Sequence, residues 1–175
     1  MGEYANSLGG DVLVAYGGEG FEAMNEARFE LFLHTNTTGP TATISGNTVP
    51  SDLELFGTIK PGLDKARLTT FLGLPALLIN GCREIPVLYD VLHPNGNPNN
   101  PANDGIEPSE HIADGIYFHA GSWGRMTRWT RDENPISEGC QTAAYGDSKS
   151  HRVYRAFMRN FPRGWEGRYY LTRSK

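Results

Sequence analysis

No apolar run in this chain of 175 residues goes far before a glycine or a proline interrupts it. The longest apolar patch, Leu72 to Ile79, is itself broken by Gly73 and Pro75. Runs this short suit strands of about four to eight residues and fall well below the roughly 20 apolar residues of a membrane-spanning helix. The 21 glycines and 11 prolines supply turns between the runs, while a hydrophobic share of 38% provides the core that a disordered chain lacks. Neither a strict glycine period nor sustained heptads are present, which excludes collagen and long coiled coils. A single domain over residues 1–175 is expected, with its core from about residue 54 onward.

The runs order themselves along the chain. Asp11 to Tyr16 reads as a strand closed by Gly17 and Gly18. From Phe21 to His34 two periods compete, because Ala23, Met24, Ala27 and Leu31 fit a helix while Phe29, Leu31 and Leu33 alternate as in a strand; a strand over Ala27 to His34 is expected. A short strand over Ala42 to Ile44 sits among turns. Glu54 to Ile59, Lys65 to Leu72, Ala76 to Asn80 and Ile85 to Val91, separated by Gly or Pro, predict an antiparallel meander. His93 to Ser109 holds too many Pro, Asn and Gly for a regular element and reads as a long loop.

Gly115 to His119 is a compact strand that delivers a histidine at its end. Further on, Asp147 or Ser148 is expected to cap a helix with Val153, Ala156, Phe157 and Phe161 on its inner face, stopped by Pro162 and Gly164. A strand over Arg168 to Thr172 closes the chain. The fold expected is mostly β, a mixed β-sandwich or barrel, with one C-terminal helix.

Two cysteines differ in setting. Cys82 lies between apolar strands in "INGCREIP" and reads as a packed thiol. Cys140 follows "ISEG", where a glycine lets the backbone turn so that successive N–H groups converge on one point. His119 stands 21 residues earlier and is a candidate base. A free thiol titrates near 8.5, so an imidazole that holds its proton raises the thiolate population at neutral pH. On spacing alone, a satisfied histidine and a buried cysteine explain the pair equally well, and a Cys82–Cys140 disulfide would silence the nucleophile. His93, His111 and His151 show no close ligand spacing with His119 and Cys140, so no metal and no cofactor are expected.

The string "GIYFHAG" followed by "SEGCQ" resembles the signature of the L,D-transpeptidase (YkuD-like) catalytic domain, in which a histidine on a strand precedes Ser/Thr-x-Gly-Cys. The likeness covers residues 115 to 142, with a weaker echo in "GTIKPG" at Gly57 to Gly62. It implies that Cys140 is the nucleophile and His119 the base, that the Ala120 carbonyl fixes the imidazole, and that the amides of Gly139 and Cys140 form an oxyanion hole. Ser137 would shape the turn. Glu138 and Thr142 depart from the family, which often has His before the Gly and Asn or Arg two residues after the Cys, and Gln141 stands where aliphatic residues are common. Arg125 or Arg128, with Trp123 overhanging the site, would then receive the substrate carboxylate.

The resemblance implies acyl transfer on the stem peptide of peptidoglycan through a Cys140 thioester, with transpeptidation to an amine or L,D-carboxypeptidation by water. A lysin-like endopeptidase and a non-catalytic wall-peptide-binding domain are the alternatives. Charge agrees with an anionic substrate: residues 1–118 carry 5 basic and 15 acidic side chains, residues 119–175 carry 11 and 5. Arginine dominates the basic part, which favours paired recognition of carboxylates or phosphates. No nucleic-acid partner, no membrane span and a monomer are expected. A place in the cell envelope follows from the resemblance, although Met1 to Gly10 lack the features of a secretory signal.

Overall fold

The computed structural model describes residues 10–18, 26–36, 38–48, 58–88, 112–121, 140–144 and 149–173. Strands β1 (Val12–Tyr16), β2 (Ala27–Phe32) and β3 (Ala42–Asn47) come first. There follow β4 (Thr58–Ile59), β5 (Gly62–Phe71), β6 (Leu74–Ile79), a turn of 3-10 helix (Asn80–Cys82), β7 (Ile85–Leu88) and β8 (Ile112–Ala113). The remainder is β9 (Tyr117–Ala120), β10 (Gln141–Ala143), helix α1 (Arg152–Met158) and β11 (Glu166–Thr172). The protein is mostly β, with a closed mixed barrel of eight strands and, among the described residues, a single helix near the C-terminus.

Barrel order is β1-β11-β5-β6-β9-β10-β3-β2, and β2 returns to β1. Two of the pairs, β1 with β11 and β9 with β10, are parallel. Side chains alternate between the two faces of each strand, so the pairing registers sort them into an inner and an outer set. Leu13, Ala15, Phe29, Leu31, Leu77, Ile79, Phe118, Tyr169 and Leu171 face inward and are buried. The strands ahead of residue 54 are part of this closure, because β1 bridges β2 and β11. Closure leaves no open edge in the larger sheet.

The expected meander divides between two sheets. Both edges of the β5–β6 hairpin are taken up by the barrel, β5 by β11 and β6 by β9. Consequently β4 and β7 pair with each other in a separate sheet of order β4-β7-β8. Arg173 ties the two sheets together. Its buried guanidinium donates to Thr48 Oγ1 at 2.7 Å and Thr58 Oγ1 at 3.1 Å, and to the carbonyls of Gly17 and Ile59. Burial lowers its pKa to about 10.

The helix starts at Arg152 after His151, which has φ 50° and makes no side-chain cap; Asp147 and Ser148 lie outside the described residues. Its inner face is Tyr154, Phe157 and Met158, continued by Phe161, whereas Val153 and Ala156 are exposed. Phe157 and Phe161 are on the inner face as expected, but Tyr154 and Met158 replace Val153 and Ala156 there, and Tyr154 reaches across to donate to the Pro75 carbonyl at 2.7 Å. Asn160 Nδ2 donates to the carbonyls of Ala156 and Phe157 and so caps the C-terminal end ahead of Pro162.

Candidate active site

Strands β9 and β10 run side by side in parallel, with Phe118 opposite Gln141 and His119 opposite Thr142. Phe118 and Gln141 point into the barrel. Phe118 meets Phe29 at 4.8 Å and the helix rings of Tyr154 and Phe157 at 6.0 Å between centroids. Gln141 Oε1 accepts the Tyr169 hydroxyl at 3.0 Å. By alternation Tyr117, His119 and Thr142 take the outer face. Thr142 is anchored there by donating to Asn47 Oδ1 at 2.9 Å. β10 is also held close to β3 at Gly46, where a Cβ would overlap the Thr142 carbonyl and the Ala143 backbone. Only glycine permits that approach.

The His119 ring is oriented by its own strand. Nδ1 lies 2.8 Å from the Ala120 carbonyl oxygen, which can only accept, so Nδ1 carries the proton and Nε2 is the basic nitrogen of the neutral ring. Phe71, at the end of β5, lies against it with 4.9 Å between centroids and stacks on Tyr117 at 4.6 Å. Under this cover His119 is 8% exposed. Burial lowers its pKa below the usual 6.5, and the bond to the Ala120 carbonyl opposes that shift only in part. The imidazole is therefore neutral at pH 7, the form in which it can take a proton.

Cys140 immediately precedes β10, so continuing the register places it opposite Tyr117, on the face that carries His119. The Tyr117 N–H donates to Cys140 Sγ at 3.4 Å. A donor aimed at sulfur stabilises negative charge on it. Cys140 is half-buried and has no disulfide. The strand pair thus brings together a thiol that is not cross-linked and an imidazole whose basic nitrogen is defined, on one face of neighbouring strands about 4.8 Å apart.

Of the residues singled out from the sequence, Cys140, His119 and Ala120 are brought together. Gly139, Ser137, Glu138, Arg125, Arg128 and Trp123 lie outside the described residues, as do His93 and His111. His151 sits at the start of α1. Trp165 is a core residue whose indole donates to Asp11 Oδ2 at 3.0 Å. Among the described residues no three of His, Cys, Asp and Glu gather as a metal site. None of their helices is long and apolar enough to cross a membrane.

Two participants escaped the sequence reading. Tyr117 was visible as the residue two before His119, hence on its face, but its amide contact with sulfur depends on the β10 register. Phe71 lies in another strand and left no local signal. No protein-family model, no curated protein and no solved structure matches this chain.

Proposed function

We propose that the protein is a cysteine acyltransferase of the L,D-transpeptidase kind, acting on the stem peptides of peptidoglycan. The observation that carries this reading is the His119 ring, held by the Ala120 carbonyl with its basic nitrogen undonated to that bond, on the strand beside Cys140. The resemblance over residues 115 to 142 supplies the substrate class.

In the acylation step the Cys140 thiol proton passes to His119 Nε2 while sulfur attacks the carbonyl carbon of the third stem residue. By the resemblance, the amides of Gly139 and Cys140 would receive the developing oxyanion. As the tetrahedral intermediate collapses, the C–N bond to the terminal D-amino acid breaks and the imidazolium gives its proton to the departing amine. An incoming amine then attacks the thioester, losing a proton to His119, and the thiolate leaves and is reprotonated. Water in place of the amine trims the peptide instead of joining it. Tyr117 N–H steadies the sulfur whenever it carries charge.

Incubation with purified disaccharide tetrapeptide, followed by mass analysis of products, tests this function. The expected result is a cross-linked dimer or a trimmed tripeptide, together with a Cys140-bound acyl adduct, all lost in Cys140→Ser. A wild-type protein that is folded and yields none of these overturns the proposal.

A further inference from the structure

A groove of about 750 Å³ runs along the barrel wall beside β11, β5 and β6. Its rim carries Lys65, Arg67, Arg83 and Arg168, and among the described residues none of the four makes an ion pair. Three carboxylates also border it. Asp11 is engaged by His34 and Trp165. Asp64 pairs with the buried Tyr169 and so turns toward the barrel interior. Glu166 sits opposite Arg67 without an ion pair forming between them. Among the described residues four cations without an ion pair face two such carboxylates, Asp64 and Glu166, which leaves a surplus of positive charge beside Leu78.

The pairing registers connect this groove to the cysteine. Arg67 lies opposite Leu78, Leu78 opposite Tyr117, and Tyr117 donates its amide to Cys140. Residues opposite one another share a face, so Arg67, Leu78, Tyr117 and Cys140 form a single row across four strands on the outer wall. Three strand spacings at about 4.8 Å put the Arg67 and Cys140 backbones roughly 14 Å apart, the span of about four residues of extended peptide.

We infer that this groove holds a carboxylate of the peptide whose acyl group Cys140 takes, with Arg67 as the principal receiving residue and Lys65, Arg83 and Arg168 adding to the field. The inference rests on the proposed acyl transfer for its substrate, but its location and charge stand on the fold. Arginine suits the task because its fork of donors matches a carboxylate in two bonds. Between the charge and the sulfur the row passes the covered Leu78 and the half-buried Tyr117, whose ring would carry the peptide stem.

The test uses the intact chain and disaccharide tetrapeptide, either with its stem carboxylates free or with them converted to carboxamides. Arg67→Gln is expected to raise KM about tenfold for the free acid, with the effect on KM rather than kcat, and to leave KM for the carboxamide as in the wild type. Binding of both peptides to the Cys140→Ser protein, with and without Arg67→Gln, gives the same comparison without turnover. Product formation with a KM indifferent to Arg67→Gln overturns the groove and leaves acyl transfer standing. Binding to the Cys140→Ser protein that depends on both Arg67 and the carboxylate, with no product from the wild type, supports the groove and overturns acyl transfer. Equal loss for both peptides, or no binding of either, overturns the groove.

Discussion

The two faces of the β9–β10 pair carry different kinds of side chain. Inward, Phe118 and Gln141 are fully buried among Phe29, Tyr154, Phe157 and Tyr169, where rings and one hydrogen bond fill the barrel. Outward, one residue along in each strand, stand His119 and Cys140, whose contacts orient protons and charge. The period of two that alternates side chains across a strand separates the packed side chains from the candidate site within two pairs of adjacent residues. Substitutions at adjacent positions should then leave opposite signatures.

The largest effect is expected on turnover. Cys140→Ser and His119→Ala should each cut it by about 10³-fold or more, with unfolding free energy within about 1 kcal/mol of the wild type. Phe118→Ala should reverse the pattern, costing about 3–5 kcal/mol in denaturant melts because it empties a site lined by rings. If His119→Ala destabilises as much as Phe118→Ala, the outer face is a core face and the contrast collapses.

A smaller effect sharpens the comparison at its boundary, where Phe71 covers His119. Removing the ring in Phe71→Ala readmits water, so the His119 pKa should rise toward 6.5 and the acid limb of the pH–rate profile should move up with it. The sign for stability follows from the same shift. A histidine with a lowered folded pKa contributes stability that is full above 6.5 and is lost as pH falls through the folded value, so the wild type should weaken in acid more steeply than Phe71→Ala. Identical acid limbs in the two proteins would remove Phe71 from the control of the base.

Much of the architecture was written locally. The strand cores around Val12, Phe29, Leu77, Phe118 and Tyr169 were legible because Gly and Pro punctuate short apolar runs. Joining the first strand to the last was not, since no nearby residue encodes the parallel register of Val12 with Arg168. The same limit split the meander, whose outer strands find partners only once the barrel occupies both edges of the hairpin. The helix face was legible only at Phe157 and Phe161, for a different reason. Tyr154 and Met158 bury through long side chains with one polar or polarizable atom, and a pattern of Val153, Ala156, Phe157 and Phe161 leaves them out.

The candidate site divides in the same way. His119, Ala120 and Cys140 were legible because a strand, a histidine and a Gly-Cys turn fall within one short stretch. Arg125 and Arg128 lie outside the described residues, and strand register adds Arg67 to the row that leads to the sulfur. Pairing across strands, invisible to any local pattern, decides which residues share a face.

The most direct measurement is the rate at which Cys140 is alkylated by iodoacetamide at pH 7, read by peptide mass for the wild type and His119→Ala. With the imidazole acting on the thiol, Cys140 should react about tenfold or more faster than free cysteine and lose that advantage in the variant. A Cys140 that reacts no faster than free cysteine, or whose rate is the same without His119, would contradict the pairing of sulfur and imidazole on which the proposed chemistry depends.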